Sequence, residues 1–246
     1  MSRFPNFNAT EPSAWQGTGT SNPAVVRFFN AVYAWMCTGL ALTAVVAYFF
    51  SQYIQTNYLT PHRPFNSLAL IAVFVVELLL VGVIAGAINR ISAAAATGLF
   101  LIYAALNGIT LAGIFLIYTQ STLASAFVIS AGTFGAMSIY GMVTQLDLTG
   151  MGRILFMALI GLIIASVVSF FWHSSALQVL INYVGVFIFV GLTAYDTQKL
   201  KFIADQTQDN PALAARMSIV GSLTLYLDFI NLFLFILRIL NQGRRN

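Results

Sequence analysis

Charge is what this chain has least of. Only 7% of its 246 residues are Asp, Glu, Lys or Arg, against about 25% in an ordinary soluble domain, and that shortage excludes a water-solvated globule. Cysteine is scarcer still. The single Cys37 excludes an internal disulfide, and its place in an apolar run reads as a small buried hydrophobe. The two histidines, His62 and His173, have no Cys or His at ligand spacing, so a resident zinc is not expected. The net charge of +4 comes with no basic run dense enough for nucleic acid, and Arg244 and Arg245 read as an interfacial anchor. Neither G-x-x-x-x-G-K-[ST] nor G-x-S-x-G occurs, so there is no sign of an ATP phosphate cradle or a serine hydrolase elbow.

What the chain has in plenty is hydrophobic residues, 59% of the total, arranged in seven long runs. They lie near Phe28 to Phe50, Ser67 to Ile88, Ser92 to Tyr118, Leu123 to Val143, Ile154 to Trp172, Ala176 to Thr197 and Ser218 to Leu240. Each covers a hydrocarbon core of about 30 Å at about 1.5 Å per residue. The spacing predicts an all-α, polytopic membrane protein, a bundle of seven transmembrane helices spanning residues 27–241. Residues 1–26 form a polar, disordered cytoplasmic tail without signal-peptide character, and 242–246 a short polar tail.

The loop cations set the orientation. An N-terminus inside the cell gathers Arg3, Arg27, Arg90, Arg153, Lys199, Lys201 and Arg216 on the cytoplasmic side and leaves only Arg63 in the outer loops. A seventh crossing then carries Arg238, Arg244 and Arg245 outside, against the rule; it is still favoured, because an apolar run folded back within lipid strands backbone groups. Small residues predict three close-packing faces, Gly82 with Gly86, Gly108 with Ala112, and Gly132 with Ala136.

Against this background three intramembrane acids stand out. An ionised carboxylate at membrane depth costs at least a few kcal/mol, and the chain places Asp196 in GLTAYDTQKLK and Asp228 in SLTLYLDFINLFLFILRIL. Asp209 or Asn210 is a natural N-cap and Pro211 a natural first helical residue, so a helical hairpin turns near Asn210. The turn brings the two aspartates to within roughly 6 Å in height, at about 1.5 Å per residue. Two carboxyls sharing a desolvated site cannot both ionise cheaply, so they titrate in coupled steps as a proton sensor. Asn231, on the same helical face as Asp228, is the expected supporting donor and, with Glu77, an expected residue of the ion path. Glu77, in the middle of the second run, reads as an acid on an ion path. Arg90 reads as a snorkelling topology marker or as a cation pairing with Asp196. Asp147 reads as a turn residue or a helix cap.

The segments GLTAYDTQKLK and LTLYLDFINLFLFILRIL resemble the hallmark segments of the Bax inhibitor family, the transmembrane Bax inhibitor motif proteins, in its bacterial inner-membrane branch. The resemblance extends over all seven runs, including Glu77 and FGAMSIYG in the fourth. It implies six helices surrounding the last and a pH-regulated calcium leak, with calcium as the permeant ion and no cofactor. Asp196 and Asp228 would be the sensor pair and Glu77 an acid of the pore, the three giving calcium weak, transient coordination. The family also carries an arginine on the second helix that latches the sensor aspartate. Arg90 is the candidate, but it is displaced from the family's bacterial position by about 200° of helix rotation at 3.6 residues per turn.

The residues are consistent with a leak: calcium wants six to eight oxygens, and sparse acids suit the passing coordination that conduction requires. The expected partners are membrane lipid, calcium ions and other membrane proteins. An enzyme is not expected. The competing reading is an intramembrane aspartyl protease, echoed by Pro211, Ala212 and Leu213, but Asp228 lies in YLDF rather than GxGD and that triplet precedes it. A non-conducting regulator of another membrane protein is the third reading.

Overall fold

The computed structural model describes residues 22–58, 67–87, 91–172 and 174–242. They form α1 (Pro23–Tyr58), α2 (Ser67–Ala87), α3 (Ala93–Ile117), α4 (Gln120–Val143), α5 (Thr149–Phe171), α6 (Ser175–Thr207) and α7 (Pro211–Gln242), with no strand among the described residues. Helices are what lipid permits, because every backbone N–H must find its acceptor within its own segment. Polar residues set the ends. Ser92, Thr119 and Ser174 cap α3, α4 and α6 by accepting from the N–H groups of Ala95, Thr122 and Leu177. Pro23 and Pro211 take the first positions of α1 and α7, where a missing N–H leaves nothing unpaired.

One boundary differs in an instructive way. Helix α1 includes residues 23–26, placed in the tail by the sequence reading, because Asn22 Oδ1 accepts from Ala24 N–H at 3.0 Å and Val25 is buried. The hairpin between α6 and α7 forms as expected. Asn210 Oδ1 accepts from Leu213 N–H at 3.0 Å, leaving only residues 208–210 as the connection.

Among the described residues, six helices are long and apolar enough to cross a membrane. This is a multi-pass, all-helical membrane protein. Its layering follows from burial: 56% of the apolar window of α7 is buried but only 11% of that of α5, so α7 is the core and α5 faces outward. Helix α7 packs against α1, α3, α4 and α6, while α2 packs on α3 and α5 on α6. Four helices therefore pack directly on the last one, and α2 and α5 stand farther out. Tyr226, Leu225 and Leu232 of α7 are fully buried at its centre.

The small-residue faces behave unequally. A Cβ on Gly108 would stand 2.7 Å from the Thr43 carbonyl oxygen, so this glycine lets α1 and α3 meet backbone to backbone. The other two expected faces do not pack: Gly82, Gly86 and Gly132 have open space where a Cβ would stand, and Ala136 is exposed. Cys37, expected to be buried, is exposed on α1. In a membrane an apolar thiol can face lipid as readily as protein, so burial is not required of it.

Candidate functional site

The α6–α7 hairpin positions the two aspartates. The helices pack along one another, and the Asp196 and Asp228 carboxyls interact as side-chain partners. Asp228 is 5% exposed. Among the described residues no N–H or O–H donor reaches its Oδ2. Its side-chain partner is the Asp196 carboxyl, which is an acceptor unless one of the two groups carries a proton. Two such carboxyls in a desolvated site cannot both ionise cheaply, whereas a single proton between them would satisfy both.

The pair opens on a cavity of about 1470 Å³ between α2, α5, α6 and α7. It exists because α2 and α5 pack on α3 and α6 instead of on α7. Its walls are mainly aliphatic and aromatic, including Leu78 and Val81 of α2 and Phe156 and Leu159 of α5, with Asp196, Asp228 and Asn231 as polar features. Two cations, Arg153 and Lys199, also line it. Lys199 stands about one turn along the same helix from Asp196, near enough for its charge to be felt there, a spacing that was readable from the sequence. Asn231 shares the cavity but is not the expected donor to Asp228. Its amide donates to the Leu227 carbonyl at 2.8 Å, the nearest acceptor one turn back.

Glu77 lies elsewhere. It is buried at 4% exposure but does not line the aspartate cavity, because it faces α3, where Thr110 Oγ1 donates to its carboxylate at 2.6 Å. Tyr103 of α3 and Tyr226 of α7 are within its electrostatic reach. The Tyr226 hydroxyl is 2.7 Å from Thr43 Oγ1, and that hydroxyl donates to the Ala104 carbonyl at 2.8 Å, so Tyr226 is the donor of its pair. Asn107 donates to the Tyr103 hydroxyl at 3.4 Å, while its buried Oδ1 has no partner among the described residues. The three intramembrane acids thus divide into a pair and a separate cluster. No group of three or more acids, histidines and cysteines converges as a metal site among the described residues.

Arg90, His62 and His173 lie outside the described residues, so the latch assignment is not placed. Asp147 is a turn residue: its Oδ1 accepts from Thr149 N–H at 2.8 Å, and the Thr149 side-chain and backbone hydrogen bonds hold its carboxyl below the usual range.

Several polar residues near the pair escaped the sequence reading. Tyr33, Ser138 and Thr197 link α1, α4 and α6 through their hydroxyls, on the turn that carries Asp196. Gln198 donates to the Leu146 carbonyl at 2.7 Å and accepts from Leu148 N–H at 2.9 Å, and Lys201 donates to the Met142 carbonyl at 3.0 Å. Together they fasten the α4–α5 connection to the end of α6 that bears the sensor candidate. The available signal was a cluster of polar residues closing an otherwise apolar run.

Comparison with known proteins agrees with this architecture. The family described as inhibitor of apoptosis-promoting Bax1 matches residues 25–245. Inner membrane protein YbhL of Escherichia coli strain K12 is 52% identical over 181 residues, 73% of this chain and 77% of that protein. A protein of Borreliella burgdorferi is 51% identical over 181 residues, 74% of this chain and 78% of its own length. Protein RP147 of Rickettsia prowazekii is 45% identical over 159 residues, 63% of this chain and 66% of its own length. A match of this extent, on a helical bundle whose sixth and seventh helices carry facing aspartates, places the chain in a family: it belongs to the Bax inhibitor family.

Proposed function

We propose that this protein is a pH-regulated calcium leak of the bacterial inner membrane. All seven helices cross, the N-terminus is cytoplasmic, and Asp196 and Asp228 form the proton sensor. The observation that carries the reading is the buried Asp228 Oδ2, which lacks a hydrogen-bond donor among the described residues and belongs to a carboxyl facing that of Asp196. With one proton the pair holds α6 to α7; without it, repulsion acts across the helix contact that walls the cavity. Cavity and sensor then share one wall, so a change of protonation alters the path directly. Glu77 supplies a further carboxylate for calcium, and Arg153 and Lys199 are cations that the path must pass or displace. The inner-membrane location is supported by the relative named for it in E. coli.

Purified full-length protein in liposomes loaded with a calcium dye tests this. Calcium entry above protein-free vesicles, changing in rate as pH is varied through neutrality, is expected. No flux above that background at any pH overturns the reading.

One observation also favours a second reading. Facing carboxyls on the wall of a large cavity are what an aspartyl protease uses to activate water. Cleavage of a membrane-helix substrate by the same preparation, abolished in Asp228→Asn, distinguishes it from the leak. A protein with neither activity is left as a non-conducting partner of other membrane proteins.

A further inference from the structure

Arg238 is a cation that the loop-charge rule places on the wrong side of the membrane, and the structure gives it a setting. It stands four residues before the end of α7, at the end of the bundle where α5 finishes and α6 begins. There it borders a cavity of about 320 Å³, separate from the aspartate cavity and at the opposite end of α6 from Asp196. Its walls are predominantly polar, unlike those of the aspartate cavity. Arg238 is joined by the carboxamides of Gln178, Asn182, Asn241 and Gln242 and by the hydroxyl of Ser169. No Asp or Glu is among the wall residues.

Two of these side chains are held in place by burial. Asn182 is 4% exposed and Ser169 8%. Asn182 borders the cavity, where its amide is available to a ligand. The guanidinium is also pre-positioned, with its central carbon 5.4 Å from the centroid of the Phe235 ring. This cation–π contact restrains an otherwise exposed side chain, and its N–H groups remain for a ligand.

We infer that this cavity is an anion site that takes a phosphate group. A cation is repelled by the one formal charge in the wall, and an apolar ligand would leave four carboxamides unpaired. A tetrahedral oxyanion instead accepts from the guanidinium fork and from amide N–H groups together. The volume equals about ten waters at roughly 30 Å³ each, enough for a phosphate with part of its hydration. Arg238 lies just over one turn from the end of a membrane helix, from where its long side chain can reach the level of lipid headgroups, so the phosphate comes either from an anionic lipid or from solution. The site also adjoins the aspartate cavity, since Ser166 lines both and Phe235 lines that cavity while stacking on Arg238. Binding there places a negative charge beside the route on which the proposed leak depends, but the site itself does not require that the protein conduct.

Thermal unfolding of the full chain in detergent tests the inference. Each variant is compared with its own ligand-free baseline. The probes are inorganic phosphate against chloride at equal ionic strength, and short-chain phosphatidylglycerol against phosphatidylcholine. A concentration-dependent rise in melting temperature is expected with an anionic probe, its apparent affinity weakened at least tenfold in Arg238→Gln and in Asn182→Asp. The second variant is nearly isosteric and places a carboxylate in the wall, so it covers the case in which Arg238→Gln does not fold. A response to phosphate alone assigns a soluble anion, a response to phosphatidylglycerol alone a lipid headgroup, and a response to both a site open to either source. No shift with either anion, or equal shifts in parent and variants, overturns the inference.

Discussion

Two buried acids on the same bundle meet opposite fates. Glu77 on α2 and Asp228 on α7 are almost equally hidden, at 4% and 5% exposure. Glu77 receives a hydrogen bond from the Thr110 hydroxyl; Asp228 faces a second carboxyl and leaves one oxygen without a donor. Depth of burial therefore does not identify a sensor. In the proposed function the partner does: a hydroxyl can satisfy a carboxylate without exchanging a proton, whereas two carboxyls are satisfied together only by holding one.

The largest effect expected from this difference is on the pH response. One titrating proton changes the ionised fraction by up to about tenfold per pH unit. Asp228→Asn keeps the shape, gives Asp196 a permanent N–H donor and removes the shared proton, so the flux–pH curve should flatten and the folded protein should persist. Asp196→Asn should do the same. A parental pH profile in both variants places the sensor elsewhere. Glu77→Gln should lower calcium flux at every pH without moving the midpoint, because the amide still accepts from Thr110 while the charge is lost. Unchanged flux per folded molecule would remove Glu77 from the path.

Thr110→Val sharpens the comparison from the other side. It keeps the side-chain shape but removes the donor, leaving Glu77 as exposed to an unmet hydrogen bond as Asp228 is, at a cost of about 1–3 kcal/mol. The loss should appear as a lower melting temperature that recovers as pH falls and the glutamate takes up a proton. A pH-independent loss would mean that Thr110 acts through packing alone. Gln198→Ala deletes the two bonds to the α4–α5 connection, a loss of about 1 kcal/mol for each bond. Limited proteolysis should show that connection opening before the bundle unfolds. The smallest effect belongs to Gly132→Ala, which enters open space and should change stability by no more than about 0.5 kcal/mol. Gly108→Ala must instead displace the α1 backbone and should cost about 1–3 kcal/mol as overpacking.

Much of the site was legible because it depends on local rules. Counting residues from the Asn210 turn was enough to bring Asp196 level with Asp228, since helical rise and a capped hairpin leave little freedom. The position of Lys199 one turn from Asp196 was equally available. The direction of Asn231 was not, because a carboxamide can turn to a carbonyl of its own helix as easily as to a neighbour. Nor was the setting of Arg238 and Asn182, which gather from α6 and α7 against Ser169 of α5.

By itself, the sequence determined the class, the helices and the hairpin that carries the two aspartates. Apolar runs must satisfy their own backbone in lipid, and a capped hairpin sets the register of the two helices it joins. Only the tertiary structure decided which face of each helix looks inward. It made α7 the core, turned Glu77 towards α3 and away from the aspartates, left Gly132 and Ala136 on the outside, and held α2 and α5 off α7 so that a cavity opened beside the pair. In water a polar face marks the outside of a helix. In a membrane both sides are apolar, so composition carries little orientation, and the choice falls to shape and to the few polar side chains that find partners across helices.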